Sequence, residues 1–236
     1  MPRSTQWVVF TKWPQPGRVK TRLCPPLTHE QAAHLHAGLT LATIRNLQAA
    51  KPASDGLVVA YTPAESLERF KKLLNNAGFS PDELAWTDQG RGDLGQRLST
   101  VHQTFSTSLF FGADTPDLPA DHLAAAAELL DHQDVVLGPT GDGGYWCLGL
   151  AESVDAQALL TDVPWSSGNE FEATRQRAKA LGYRVGLAPA WNDIDRFNDL
   201  RAFWQRRHDT AAGQWLGTYL LHGQHHLDDL LEDHLA

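Results

Sequence analysis

Short apolar runs alternate along the chain with segments whose apolar residues recur every three or four positions. Trp7–Phe10, Leu57–Tyr61, Ser108–Gly112 and Asp134–Gly138 are compact runs bounded by polar, Gly or Pro positions, and this pattern predicts strands. Leu84–Thr87, Tyr145–Leu150 and Tyr183–Ala188 add three more, the first of them the weakest. Helical stripes fall between them: Ala32/Leu35/Leu39/Ala42, Leu67/Phe70/Leu74, Leu94/Leu98/Val101/Phe105, Leu123/Ala127/Leu130, Phe171/Thr174/Ala178/Leu181 and Phe197/Leu200/Trp204. Start signals precede several stripes. Thr28-His-Glu-Gln31 and Asp93-Leu-Gly-Gln96 have capping-box form, Thr62-Pro63-Ala-Glu65 combines a cap with a first-turn Pro, and Ser167-Gly-Asn-Glu170 opens a further helix. Asp195 is placed to cap the helix that begins near Phe197.

The alternation of strand and helix implies a layered α/β domain with a largely parallel sheet and helices on both faces. Only a few residues separate the strands at 134–138 and 145–150, too few for a crossover helix, so one antiparallel strand and a mixed sheet are expected. The expected organisation is one domain over 1–207 followed by a helical tail over 208–236. That tail carries His222, His225, His226 and His234 among acidic residues, at a spacing that matches no zinc signature.

Composition narrows the class. The 236 residues are 42% hydrophobic and include eight Trp and nine Phe, enough to fill a core, which excludes disorder as the dominant state. No apolar run approaches the length of a membrane helix. Met1-Pro-Arg-Ser runs straight into Trp7, too short a lead for a signal-peptide core, and Cys24 and Cys147 make no disulfide framework; a cytoplasmic protein is expected. The net charge of −8 argues against a broad nucleic-acid surface. The charge is uneven, however: residues 1–50 hold six basic residues and a single acid, Glu30, a pattern that suits a local site for an anionic small molecule.

In open α/β sheets ligands bind beyond the carboxyl ends of strands. After the first strand come Lys12, Arg18, Lys20 and Arg22, four cations within eleven Pro-stiffened residues, with Gly17 permitting close backbone approach. Such a loop grips a di- or triphosphate through side-chain charge. After another strand come Asp114 and Asp117, hard oxygen donors of the kind Mg²⁺ takes together with substrate phosphates. Asp117 serves equally well as a helix cap, whereas Asp114 has no cap to explain it. Gly138-Pro-Thr-Gly-Asp142-Gly-Gly144 reads as a tight hairpin turn or a close approach to ligand. Alternation puts Asp193 and Asp195 on one side of an extended segment, where either could complete a metal site begun by Asp114. Glycine-rich backbone around Gly92 and Asp93 precedes a helix N-terminus, a place for an anion or a base edge.

Taken in order, Phe10-Thr-Lys-Trp-Pro-Gln-Pro-Gly-Arg-Val-Lys-Thr-Arg-Leu23, Gly92-Asp-Leu-Gly, Gly112-Ala-Asp-Thr-Pro-Asp-Leu-Pro119, Gly141-Asp-Gly-Gly-Tyr145 and Val163-Pro-Trp-Ser166 carry a resemblance over about residues 7–203. The chain resembles a bacterial family of predicted nucleotide-diphospho-sugar transferases, some of whose members are assigned to arsenosugar biosynthesis as glycosyltransferases. The resemblance implies a Rossmann-like GT-A fold. It implies Lys20 and Arg22 on phosphates, Asp114 as the metal-binding acid and Asp195 as a second ligand. Arg196 stands where the family usually has Thr, and Trp13 replaces a small residue, where it could narrow the nucleotide pocket or stack on a base or sugar.

The leading expectation is a glycosyltransferase that uses Mg²⁺ or Mn²⁺ and a nucleotide-diphospho-sugar. Lys20 would assist the departing diphosphate, and Asp142 would position or deprotonate the hydroxyl of a small-molecule acceptor. A nucleotidyltransferase taking NMP from an NTP to a phosphorylated small molecule is the alternative, and a catalytically silent nucleotide-binding protein is the third. The sequence leaves a homodimer open.

Overall fold

The computed structural model describes residues 4–221. Seven strands, β1 (Gln6–Lys12), β2 (Gly56–Thr62), β3 (Ala85–Asp88), β4 (Ser108–Gly112), β5 (Val135–Pro139), β6 (Tyr145–Leu150) and β7 (Val185–Leu187), form one sheet. Its order is β3-β2-β1-β4-β6-β5-β7. All neighbours pair in parallel except β6, which runs antiparallel to both β4 and β5. The mixed sheet expected from the short 139–145 connection is therefore present.

The helices are α1 (His29–Ala50), α2 (Leu67–Asn76), α3 (Leu94–Phe105), α4 (Ala120–His132), α5 (Ala156–Leu160), α6 (Glu170–Ala180), α7 (Phe197–Arg206) and α8 (Ala211–Leu221). Trp7, Val8 and Val9 are all fully buried. Successive strand residues face opposite sides, so both faces of the central sheet are covered by helices.

Local signals explain most starts. Thr28 and Gln31 exchange side-chain and backbone hydrogen bonds in a complete capping box, and Asp93 and Gln96 do the same. Two expected starts differ. Thr62 ends β2 rather than capping a helix; Ala64–Ser66 forms a 3₁₀ turn, and Ser66 Oγ donates to Pro63 O before α2 begins. Asp195 does not cap α7. Asp199 does, its carboxylate accepting from Asp195 N at 3.2 Å and Arg196 N at 2.7 Å, which leaves the Asp195 carboxylate free to turn elsewhere. Of the tail, α8 packs against α1; His222, His225, His226 and His234 lie outside the described residues.

A second apolar cluster beside the sheet core positions the site. Leu23, Leu35, Leu39, Ile194, Phe203 and Leu216 are each almost fully buried in it. Each such side chain is worth about 1.5–3 kcal/mol in burial. The cluster binds the loop after β1, the extended segment before α7, and helices α1, α7 and α8 into one block.

Candidate active site

The chain leaves β1, builds β2 and β3 on one side, then crosses back to β4 on the other, so the carboxyl ends of β1 and β4 flank a topological switch point. Beyond them opens a cleft of about 770 Å³, within the usual range of a small-molecule site.

Lys20 lies beneath its floor. Its backbone is left-handed (φ 47°, ψ 35°), an uncommon and strained state for a residue with a Cβ. That turn drives the side chain inward until it is 7% exposed, with Nζ 3.0 Å from Asp114 Oδ2 and 3.6 Å from Asp195 Oδ1. The 3₁₀ turn Thr21–Leu23 then buries Leu23 in the second cluster and presents Arg22 to the cleft, where Nη1 meets Asp195 Oδ2 at 2.5 Å.

The carboxylates are placed just as locally. Asp114 folds back over Gly112: a Cβ on that glycine would lie 2.5 Å from Asp114 Oδ1. Ile194 N donates to Asp114 O at 2.9 Å, clipping the 193–195 segment to the end of β4. Ile194 is fully buried, so alternation turns Asp193 and Asp195 together toward the cleft.

The electrostatics follow. Burial pulls Lys20 down, but Asp114 and Asp195 outweigh it and hold the ammonium above its ordinary pKa. Burial pushes Asp195 up, yet Lys20 and Arg22 win and keep it below the usual carboxylate range. Asp193 has no such partner in contact; burial and then the Asp114 charge raise it well above that range. Four carboxylates (Asp114, Asp142, Asp193, Asp195) thus face Lys20 and Arg22, and the negative excess falls on hard oxygen donors. That donor set fits Mg²⁺ or Mn²⁺. Among the described residues no three His, Cys, Asp or Glu side chains form a cage by themselves. A site of one or two carboxylates completed by substrate phosphates needs none.

The opposite wall is the 140–144 turn backed by the segment that leads into α6. Thr140 Oγ1 and Gly144 N both donate to Asp142 Oδ1, locking the carboxylate at the cleft edge. Gly141 N donates to Asn192 Oδ1 at 3.1 Å, tying this turn to the 193–195 segment. Gly143 (φ +91°) lies so close to Gly168 that a Cβ would sit 1.8 Å from its carbonyl oxygen, and Phe171 N donates to Gly143 O. The 138–144 segment is therefore both the hairpin turn and a cleft wall.

Arg22, Asp114, Asp142 and Asp195 line this cleft, and Lys20 reaches it from beneath through Asp114 and Asp195. Lys12, Gly17, Arg18, Lys20, Gly92 and Asp93 are not themselves among the lining residues. Lys12 ends β1 and its carbonyl accepts from His36 Nε2; Gly17 and Gly92 occupy left-handed turns (φ +73° and +101°); Arg18 is exposed; the Asp93 carboxylate is engaged as the α3 cap. Trp13 packs edge-on against Phe70 at 5.2 Å with Arg69 over its ring, so it faces α2.

Asp117 neither caps a helix nor faces the cleft. It is 2% exposed, with Oδ2 2.6 Å from Arg206 Nε and Oδ1 accepting from Trp191 Nε1 at 3.4 Å. Arg206 lies 89 residues away, and no local pattern marks it. Asn192 and Trp165 also escaped assignment, although both sit inside segments already singled out.

Residues 43–167 match the model of the family described as "Uncharacterized protein conserved in bacteria (DUF2064)". No curated protein sequence matches the chain. Among solved structures, a Desulfovibrio desulfuricans G20 protein, assigned provisionally as a nucleotide-diphospho-sugar transferase, superimposes with a TM-score of 0.79 at 24% identity, over 92% of this chain and 97% of that one. The 4-diphosphocytidyl-2C-methyl-D-erythritol synthase of Anaerococcus prevotii gives 0.55 at 9% identity, over 86% and 99%. Rv0371c of Mycobacterium tuberculosis H37Rv gives 0.51 at 15% identity, over 86% and 98%. At these identities the likeness is one of fold: a Rossmann-like mixed sheet of the kind seen in nucleotide-dependent transferases.

Proposed function

The chain belongs to the DUF2064 family of bacterial proteins, and on that footing we propose that it is a metal-dependent glycosyltransferase. It takes a sugar from a nucleotide-diphospho-sugar and passes it to the hydroxyl of a small-molecule acceptor. One observation carries this reading: Lys20, Arg22, Asp114 and Asp195 converge at the switch point between β1 and β4, cations and hard carboxylates together, as a diphosphate with a divalent ion requires. The fold of the Desulfovibrio protein supports it.

Asp114 and Asp195 would hold Mg²⁺ or Mn²⁺, which when bound neutralises charge on the leaving diphosphate. Lys20 and Arg22 orient that diphosphate and stabilise the negative charge it gains as its bond to the anomeric carbon breaks. The acceptor oxygen forms the new bond to that carbon, and its proton passes to Asp142, whose second carboxylate oxygen remains available beside the 140–144 turn.

Nucleotidyl transfer is the second reading. Lys20 and Arg22, paired with Asp114 and Asp195, would serve the phosphates of an NTP as well as those of a nucleotide sugar. Incubating the protein and Mg²⁺ or Mn²⁺ with NTPs and nucleotide sugars plus cell-extract acceptors separates the two. Nucleoside diphosphate released from a sugar nucleotide is expected; pyrophosphate released from an NTP would replace glycosyl by nucleotidyl transfer. Full activity in Asp114→Asn would remove the metal role.

A further inference from the structure

The charges on the two sides of the cleft are distributed unequally. The described residues that line it include two cations, Arg22 and Arg196, and both come from the side of β1 and α7. The opposite wall offers Asp142, Tyr145, Trp165, Ser166, Ser167 and Glu170, which amounts to hydroxyls, aromatic rings and two carboxylates. Among the described residues neither Asp142 nor Glu170 is in a salt bridge.

Glu170 is the informative one. It is 8% exposed and opens α6, an eleven-residue helix. A helix start of this kind, with loop amides before it, ordinarily attracts a phosphate. Here Glu170 puts its own carboxylate there, with Oε1 accepting from Ser167 N at 2.7 Å. The place an acceptor phosphate would take is filled by a negative charge of the protein itself.

Trp165 gives the same wall a positive use. Its ring stands edge-on to Tyr145 at 6.4 Å, and a Cβ on Gly95 would lie 3.2 Å from Cζ2, so the indole is held between Tyr145 and α3. It stays partly exposed on the cleft, beside the 42%-exposed Leu94. A fixed aromatic face flanked by hydroxyls and carboxylates suits the C–H face and hydroxyl groups of a polyol ring.

We propose that this wall is the acceptor subsite, that it takes an uncharged, hydroxyl-rich ring stacked on Trp165, and that it rejects phosphorylated acceptors. The assignment rests on the transferase reading, because it presumes that the donor's diphosphate occupies the Lys20–Arg22 side. It also bears on the second reading, since a nucleotidyltransferase of the kind described needs a phosphate as nucleophile.

The test uses ring acceptors in pairs that differ by one phosphate: glucose with glucose 6-phosphate, and myo-inositol with myo-inositol 1-phosphate. The full chain, Mg²⁺ and an active sugar nucleotide are supplied, and nucleoside diphosphate release is measured. Saturation-transfer NMR with the nucleoside diphosphate and Mg²⁺ present reads binding of the same pairs without turnover. The uncharged member is expected to be at least tenfold better in each pair. Glu170→Gln, which keeps the oxygen that accepts from Ser167, should narrow that ratio severalfold. Trp165→Ala should raise the acceptor KM at least fivefold with the donor KM unchanged. Preference for the phosphorylated member, no binding of either member, or an unchanged acceptor KM in Trp165→Ala would overturn the subsite. Failure of the transferase reading looks different: no sugar nucleotide turns over, while NMR still ranks the uncharged member first.

Discussion

Asp114 and Asp117 leave β4 three residues apart and finish in opposite environments. Asp114 meets a buried ammonium at the floor of an open cleft, its own side chain 30% exposed; Asp117 is 2% exposed and meets the guanidinium of Arg206 beneath Trp191. Both are ion pairs between remote parts of the chain. The first retains access to a ligand and shares its cation with Asp195. The second is closed off by an aromatic ring and joins the end of α7 to the β4 loop. Equal chemistry in one motif thus leaves one carboxylate open to the cleft and closes the other into a brace, and solvent access separates them.

The largest effect that would break this comparison lies at Lys20. Lys20→Met should lower kcat/KM for the glycosyl donor by about 10²–10³-fold, the usual cost of one preorganised charge donor. Its melting temperature should fall less than that of an Asp117 variant, because Asp114 can recover water. Steady-state release of nucleoside diphosphate and a thermal melt read the two halves; an equal or greater loss of melting temperature would erase the distinction.

Next comes the brace. Asp117→Asn leaves the guanidinium without its counter-charge and should cost about 3 kcal/mol, or a fall of roughly 6–12 °C in Tm for a chain of this size. The double variant Asp117→Leu/Arg206→Met should cost less than either single change, since the burial penalty disappears with both charges. Turnover per folded molecule should persist; its loss at low temperature would make Asp117 part of the reacting site.

A comparable effect sharpens the contrast through pH. Burial, and then the Lys20 charge, lowers His36 from 6.5 to about 4. The unfolded chain binds that proton below pH 6.5, while the folded chain resists it down to about 4. This contribution to stability is therefore complete above the higher value and drains as the pH falls between them, by about 3 kcal/mol at 1.36 kcal/mol per pKa unit. The raised carboxyl of Asp193 acts with the opposite sign over the same range, so in denaturant titrations the difference between the native chain and His36→Gln, which can still donate to Lys12 O, should carry the slope. An unaltered slope would place the acid sensitivity elsewhere.

Sequence reading succeeded where the cause was local. The boxes at Thr28/Gln31 and Asp93/Gln96 close within one helical turn, and the antiparallel β6 follows from loop length alone. The Asp193/Asp195 alternation held because Ile194 is apolar and lies between them. It failed where two nearby residues competed for one task, as when Asp199 took the α7 cap expected of Asp195. It also failed where the partner was distant: nothing around Asp117 announces Arg206. Trp13, standing where the resembling family has a small residue, suggests a narrowed pocket or a stacking ring, but Phe70 of α2 claims its ring. The four cations lie close together in sequence, yet the left-handed turn at Lys20 sends that one under the cleft and leaves Arg18 outside it.

Leu23 and Ile194 each sit within one residue of a charged group in the cleft, and both are anchored in the cluster that includes Leu216 and Leu220 of α8. Helix α8 shares its apolar cluster with the inner ends of the two segments that aim Arg22, Asp193 and Asp195. Chemistry at the mouth of the sheet therefore inherits its alignment from a hydrophobic foundation at the far end of the chain. Drift in the α8 side chains would be felt first as a loss of alignment among Arg22, Asp193 and Asp195.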